Sequence, residues 1–98
     1  MALQIVLTKR AKKNLDKIII YVHSNFGEKV TAKLKSRISE TIDLIAEYPA
    51  MGTFENKGKN IRGFVIRKQI QLFYRVEKDT ITLLNFFDTR QHPKKKLK

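Results

Sequence analysis

The sequence contains no cysteine, which excludes disulfides and thiolate metal sites and removes the usual staples of small secreted domains. A reducing cytoplasm is therefore the expected setting. No apolar run approaches the roughly 20 residues needed to cross a bilayer, so no membrane association is expected. Met1 to Thr8 lacks a basic stretch ahead of an apolar one, and Lys9, Arg10, Lys12 and Lys13 follow at once. A secretory signal is not expected. Common catalytic templates are missing as well: there is no Gly-rich phosphate loop, no G-x-S-x-G elbow and no H-E-x-x-H pair. The two histidines, His23 and His92, lie far apart in sequence, so neither a metal site nor a cofactor is expected.

Acidic residues are also scarce, nine against 21 Lys and Arg, which leaves a formal charge of +12. Four of those charges sit in the tail Lys94-Lys95-Lys96-Leu97-Lys98, and removing them still leaves +8 on the rest. The body itself is basic. Such a field attracts nucleic acid or an acidic protein and makes binding salt-dependent, without choosing between them. With 98 residues, 42% of them hydrophobic, the chain has material for one modest core. The expected organisation is one domain over 1–93 and a frayed basic tail over 94–98.

Hydrophobic periodicity divides the chain. Leu3 to Leu7 is a short β-rich run, and Thr8 is a good helix N-cap. Ala11, Leu15, Ile18, Ile19, Val22 and Phe26 fall at helical spacing, and Asn25-Phe26-Gly27 supplies residues that tolerate left-handed backbone. Val30, Leu34, Ile38, Ile42 and Ile45 continue the period to Tyr48, where Pro49 and Gly52 end it. Two helices in a hairpin are expected. Residues Pro49 to Asn60 have no apolar period and read as a loop. Three β-branched and aromatic runs follow, 61–66, 70–76 and 81–87, joined by short polar connections that suit hairpins. The order is β-α-α-β-β-β, an α+β fold with a helical hairpin packed on one face of a mainly antiparallel sheet and the other face partly exposed.

Chemistry-bearing residues concentrate in the sheet half. Arg62, Arg67, Arg75 and Arg90 stand there, with Lys57, Lys59 and Lys68 near them in sequence. Alternation puts Ile70, Leu72, Tyr74 and Val76 on one face of their strand and Gln71, Phe73 and Arg75 on the other. If Arg62, Arg75 and Arg90 converge, they form a cationic surface able to grip phosphates bidentately. That surface would bind RNA or an acidic protein. It would also stabilise a pentacoordinate phosphorus in a metal-free ribonuclease, with a lysine, carboxylate or histidine moving protons. The same arginines equally suit a solvated face with strand-end ion pairs to Glu77, Asp79 or Asp88. His92, two residues after Arg90, is placed to move a proton but suits an exposed tail as well. His23 reads as a helix-boundary residue.

The ordered set A-x-x-x-L-x-x-I-x-x-Y, N-F-G, L-I-A-E-Y-P-A-M-G, I-R-G-F-V-I-R, I-Q-L-F-Y-R-V and I-T-L-L-N-F-F-D-T-R-Q-H-P resembles the RelE/ParE toxin superfamily of plasmid-stabilisation type, over almost the whole chain. The resemblance implies the toxin of a type II toxin–antitoxin pair, neutralised by a cognate antitoxin that covers its basic surface. It implies one of two activities: ribosome-dependent mRNA cleavage, as in RelE-like members, or poisoning of DNA gyrase, as in ParE-like members. The helical hairpin and the Y-P-A-M-G ending look ParE-like, while the charge is equally compatible with the ribosome. For a metal-independent mRNA interferase, the family's catalytic positions correspond to Arg62, Arg75, Arg90 and His92. RNA binding would fall to Lys59, Arg62, Arg67, Lys68, Arg75 and Arg90. The chain departs from the nucleases in having no tyrosine after Tyr74, which would leave proton transfer to His92, Lys59 or Lys68. A non-toxic basic module that only binds an antitoxin-like protein or nucleic acid is the alternative.

Overall fold

The computed structural model describes residues 3–88. Strand β1 (Gln4–Leu7) runs directly into the helical segment α1 (Lys9–Glu47). A 3-10 turn (Pro49–Met51) then leads to β2 (Thr53–Asn56), β3 (Ile61–Arg67), β4 (Ile70–Val76) and β5 (Thr80–Asp88). The helix starts where Thr8 is placed to start it. The Thr8 hydroxyl accepts a hydrogen bond from Ala11 N–H at 3.0 Å and donates to the Leu84 carbonyl at 3.1 Å, so the cap also ties the helix to β5.

Gly27 breaks α1 into two arms, 9–26 and 28–47, with φ 86 and ψ −178. That conformation is open essentially only to glycine, a stronger demand than the left-handed turn expected from Asn25-Phe26-Gly27. An unbroken helix of 39 residues would run about 58 Å at 1.5 Å per residue. The longest dimension of the described residues is 38 Å, so the arms fold back on each other as the expected hairpin. Asn25 Nδ2 donates to the Tyr21 carbonyl at 2.8 Å and the Thr31 hydroxyl to the Gly27 carbonyl at 2.7 Å, securing the backbone on both sides of the break.

The sheet has five strands in the order β1-β5-β4-β3-β2, with β1 parallel to β5 and the other pairs antiparallel. The expected antiparallel succession of the last three strands is present. The loop expected over Pro49 to Asn60 instead contains β2, an edge strand whose four residues are all exposed. Its sequence, Thr-Phe-Glu-Asn, has no buried face to announce it. Bulges interrupt the β3/β4 register after Val65 and the β4/β5 register after Phe73, where an extra residue sharpens the local twist.

The core lies between α1 and one face of the sheet. Ala11, Ile18 and Val22 from the first arm and Leu34, Ile38 and Ile45 from the second meet Ile66, Ile70, Leu72, Tyr74, Ile81, Leu83 and Phe86. Phe73 and Phe87 are also buried but stand outside that cluster, as the alternation along their strands requires. The face away from the helices is therefore less open than its composition suggests. Among the described residues, no helix is long and apolar enough to cross a membrane.

Candidate functional site

Arg62, Tyr74 and Phe54 stand in a row across three strands. The register opposes Phe54 to Arg62 and Arg62 to Tyr74, so the three share one face of the sheet. The Tyr74 hydroxyl donates to the Pro49 carbonyl at 2.8 Å and accepts from Gly52 N–H at 2.9 Å. Tyr74 is 0% exposed. Burial pushes its phenol above the usual value of 10.0, with the Gly52 hydrogen bond and the Arg62 charge partly opposing the shift.

The Arg62 guanidinium extends the same arrangement. One terminal nitrogen donates to the Gly52 carbonyl at 2.6 Å and the Ala50 carbonyl at 3.2 Å. Its centre lies 3.8 Å from the centroid of the Phe54 ring, close enough for a cation–π contact. Lys57 Nζ sits 5.7 Å from the same centroid. Arg62 and Tyr74 thus fasten the turn that follows the second helical arm onto the sheet. Gly52 is required by close approach: a Cβ there would lie 2.5 Å from the Tyr74 hydroxyl oxygen and 2.8 Å from the Gly63 carbonyl oxygen.

Arg75 does not join this row. It opposes Ile61 on β3 and Thr82 on β5, one residue out of phase with the Arg62–Tyr74 pair, so the pleat sets Arg62 and Arg75 on opposite faces of the sheet. Next to Arg75, the Glu77 carboxylate is engaged by the Thr82 hydroxyl at 2.7 Å and the Thr80 hydroxyl at 3.4 Å. Lys59 is exposed in the turn between β2 and β3, where its N–H donates to Asn56 Oδ1 at 3.1 Å. Arg67 and Lys68 lie at the other end of β3. Five residues of strand, roughly 17 Å at 3.3–3.4 Å per residue, separate Arg67 from Arg62.

The structure therefore divides the sequence-derived cations into three places: Arg62 and Lys59 near the 3-10 turn and β2, Arg75 on the reverse face, and Arg67 with Lys68 at the β3–β4 turn. Arg90 and His92 lie outside the described residues, as does the tail 94–98. His23 is exposed on α1. Among the described residues, no group of three or more His, Cys, Asp or Glu side chains is placed to hold a metal ion.

Two features are not evident from the sequence. At the β3–β4 turn, Lys33 and Arg37 from the second arm line one cavity together with Arg67 and Lys68. Their i,i+4 spacing was the available signal. The second feature is a groove of about 630 Å³ between the arms, floored by Leu15, Ile19, Ile38 and Ile42 and edged by Ile20, which is 65% exposed. An amphipathic pattern shows that a helix has an apolar face, but not that part of this face is left uncovered.

A sequence model of ParE toxins of type II toxin–antitoxin (parDE) systems matches residues 5–93. A search of curated proteins gives no match. Among solved structures, the chromosomal ParDE toxin–antitoxin system of P. aeruginosa aligns with TM-score 0.73 and 16% identity, covering 89% of this chain and 96% of that one. The toxin–antitoxin complex RelBE2 of Mycobacterium tuberculosis aligns with TM-score 0.62 and 14% identity, covering 90% and 99%. The E. coli toxin RelE, solved in the free state as a double arginine-to-alanine mutant, aligns with TM-score 0.58 and 20% identity, covering 95% and 90%. At these identities the structural likenesses speak for the fold alone, whereas the sequence match spans nearly the whole chain. The chain belongs to the ParE toxin family, within the RelE/ParE superfamily.

Proposed function

We propose that this protein is the growth-arresting toxin of a type II toxin–antitoxin pair, and that it acts by binding DNA gyrase and trapping it on DNA rather than by cutting mRNA. The observation that carries the choice of target is the commitment of Arg62 and Tyr74. A ribonuclease built on Arg62 and Arg75 needs their guanidinium groups around one phosphate, with a proton carrier within hydrogen-bond reach. Here Arg62 binds two backbone carbonyls, Arg75 occupies the reverse face, and the Tyr74 hydroxyl is held between Pro49 and Gly52. The polar atoms of Arg62 and Tyr74 hold the fold together. A surface that works by docking needs none of them free.

The antitoxin's seat is the groove between the arms. Its apolar floor suits a helix laid in with anchors at i, i+3 or i+4, and i+7; Asp16 and Asp43 stand at its lining against Lys35, so apolar burial carries the affinity there, while the +12 charge of the toxin as a whole steers an acidic partner towards it. The decisive assay incubates purified toxin with gyrase, supercoiled DNA and ATP, then denatures the mixture to release cleaved DNA. Linear DNA that accumulates with toxin and disappears when antitoxin is added is the expected result. Intact DNA at saturating toxin, together with A-site cuts in mRNA on translating ribosomes, would replace this reading with that of an mRNA interferase.

A further inference from the structure

Four cations line one cavity of about 440 Å³ where the second arm of α1 passes the β3–β4 turn: Lys33, Arg37, Arg67 and Lys68. Among the described residues, no carboxylate contributes to its lining. Lys33 and Arg37 are one helical turn apart and face the same way. The turn presents Arg67 and Lys68 against them. Arg37 is held in place by its Nε, which donates to the Ile66 carbonyl at 2.9 Å, so the guanidinium stays beside the turn. Gathering four like charges in one pocket is unfavourable in the free protein, and an anion seated among them removes that penalty. We infer that this cavity binds the phosphodiester backbone of duplex DNA.

Charge density favours DNA over an acidic peptide. An extended peptide presents side chains to one surface only every second residue, roughly 6.7 Å apart, so it brings few carboxylates into a cavity of this size. Along one strand, duplex DNA carries a negative charge on every nucleotide, one per about 3.4 Å of its axis, whereas a peptide is charged only at its Asp and Glu side chains. Arginine forks bind phosphate oxygens bidentately, and lysines add point charges around them. The inference rests on the gyrase reading for its choice of duplex over other nucleic acids, because a protein acting on the gyrase–DNA complex works beside duplex. Lys33 and Arg37 would hold the toxin against DNA flanking the enzyme.

The test uses the whole chain and a fluorescently labelled duplex of random sequence, with binding followed by anisotropy between about 50 and 200 mM salt. One variant carries K33Q, R37Q, R67Q and K68Q. The control carries K9Q, K12Q, K13Q and K17Q, which removes the same charge from an exposed lysine cluster on the first arm. The expected result is at least a tenfold loss of duplex affinity for the pocket variant and less than threefold for the control. The slope of log affinity against log salt should fall by about 0.9 for each phosphate that the variant no longer neutralises. A K33Q/K68Q variant, which keeps the Arg37 bond to Ile66, should show about half the effect if the fourfold variant folds poorly. Equal weakening by pocket and control variants would overturn the inference, as would preferential binding of polyglutamate or single-stranded RNA at the pocket. Wild-type cleavage complexes are scored in parallel. Their absence would remove the gyrase reading, whereas their presence with unchanged duplex binding by the pocket variant would remove this inference alone.

Discussion

Replacing Tyr74 by phenylalanine keeps the buried ring and deletes only the hydroxyl that joins the sheet to the turn after the second arm. Two hydrogen bonds vanish, one donated to the Pro49 carbonyl at 2.8 Å and one accepted from Gly52 N–H at 2.9 Å. A typical intramolecular hydrogen bond contributes about 1 kcal/mol net, and a buried group left without a partner costs about 1–3 kcal/mol. Gly52 is buried while Pro49 is half-exposed, so its carbonyl regains water more readily than the Gly52 N–H. A total loss of about 2 kcal/mol follows. For a domain of this size that lowers Tm by roughly 10 °C. Thermal unfolding followed by circular dichroism measures it directly.

The pH dependence gives a second, independent readout. The folded phenol holds its proton above the usual value of 10.0, so as pH rises past that value the unfolded chain gives up its proton first. Stability must then fall with rising pH over that interval. The other tyrosines and the lysines add alkaline terms of their own, but these are common to both proteins, and the difference between wild type and Y74F isolates Tyr74. The gap between them should narrow above pH 10. Equal melting temperatures at neutral pH, or a gap that stays constant through the alkaline range, would refute the reasoning.

Three further substitutions probe other parts of the structure. Gly52→Ala places a Cβ 2.5 Å from the Tyr74 hydroxyl oxygen and 2.8 Å from the Gly63 carbonyl oxygen and should cost about 1–3 kcal/mol in chemical unfolding; combined with Y74F, the loss should be less than additive because the hydroxyl clash is gone while the backbone one stays. Gly27→Ala meets nothing within 4 Å, so its cost is backbone strain alone, about 1–3 kcal/mol, and an unchanged denaturation midpoint would contradict the geometry of the hairpin break. Ile20→Glu, at a position 65% exposed on the rim of the groove, should change stability by no more than about 0.5 kcal/mol. It should weaken antitoxin binding about tenfold, the loss expected from roughly 1–2 kcal/mol of apolar burial, and calorimetry showing unchanged affinity would remove the groove as the seat.

The hairpin of helices and the three C-terminal strands were legible because each buries one face, and burial imposes a period of 3.6 or 2 on the sequence. Strand β2 was not, because Thr53 to Asn56 are all exposed and an edge strand with no buried face imposes no alternation. Gly27 was legible as a break, but its φ of 86 and ψ of −178 depend on how the arms pack, which no local pattern encodes. The arginines show the limit most clearly. Alternation is visible within a strand, but the relative phase of two strands is set by register, and only register puts Arg62 and Arg75 on opposite faces. Arg62 also stands beside Tyr74 and the Gly52 carbonyl by tertiary contact, so spacing could point to the cation but not to its partners. The pocket of Lys33, Arg37, Arg67 and Lys68 joins segments about 30 residues apart. Its members read singly as solvated surface charges.

On the function proposed above, growth arrest proceeds through gyrase held on DNA. Inducing the toxin in cells, then recovering DNA ends covalently attached to gyrase and mapping mRNA 5′ ends from the same culture, tests it most directly. Gyrase-linked breaks that rise within minutes and vanish on antitoxin co-expression, with mRNA ends unchanged, are the predicted result. Codon-phased mRNA cuts without gyrase-linked breaks would contradict it.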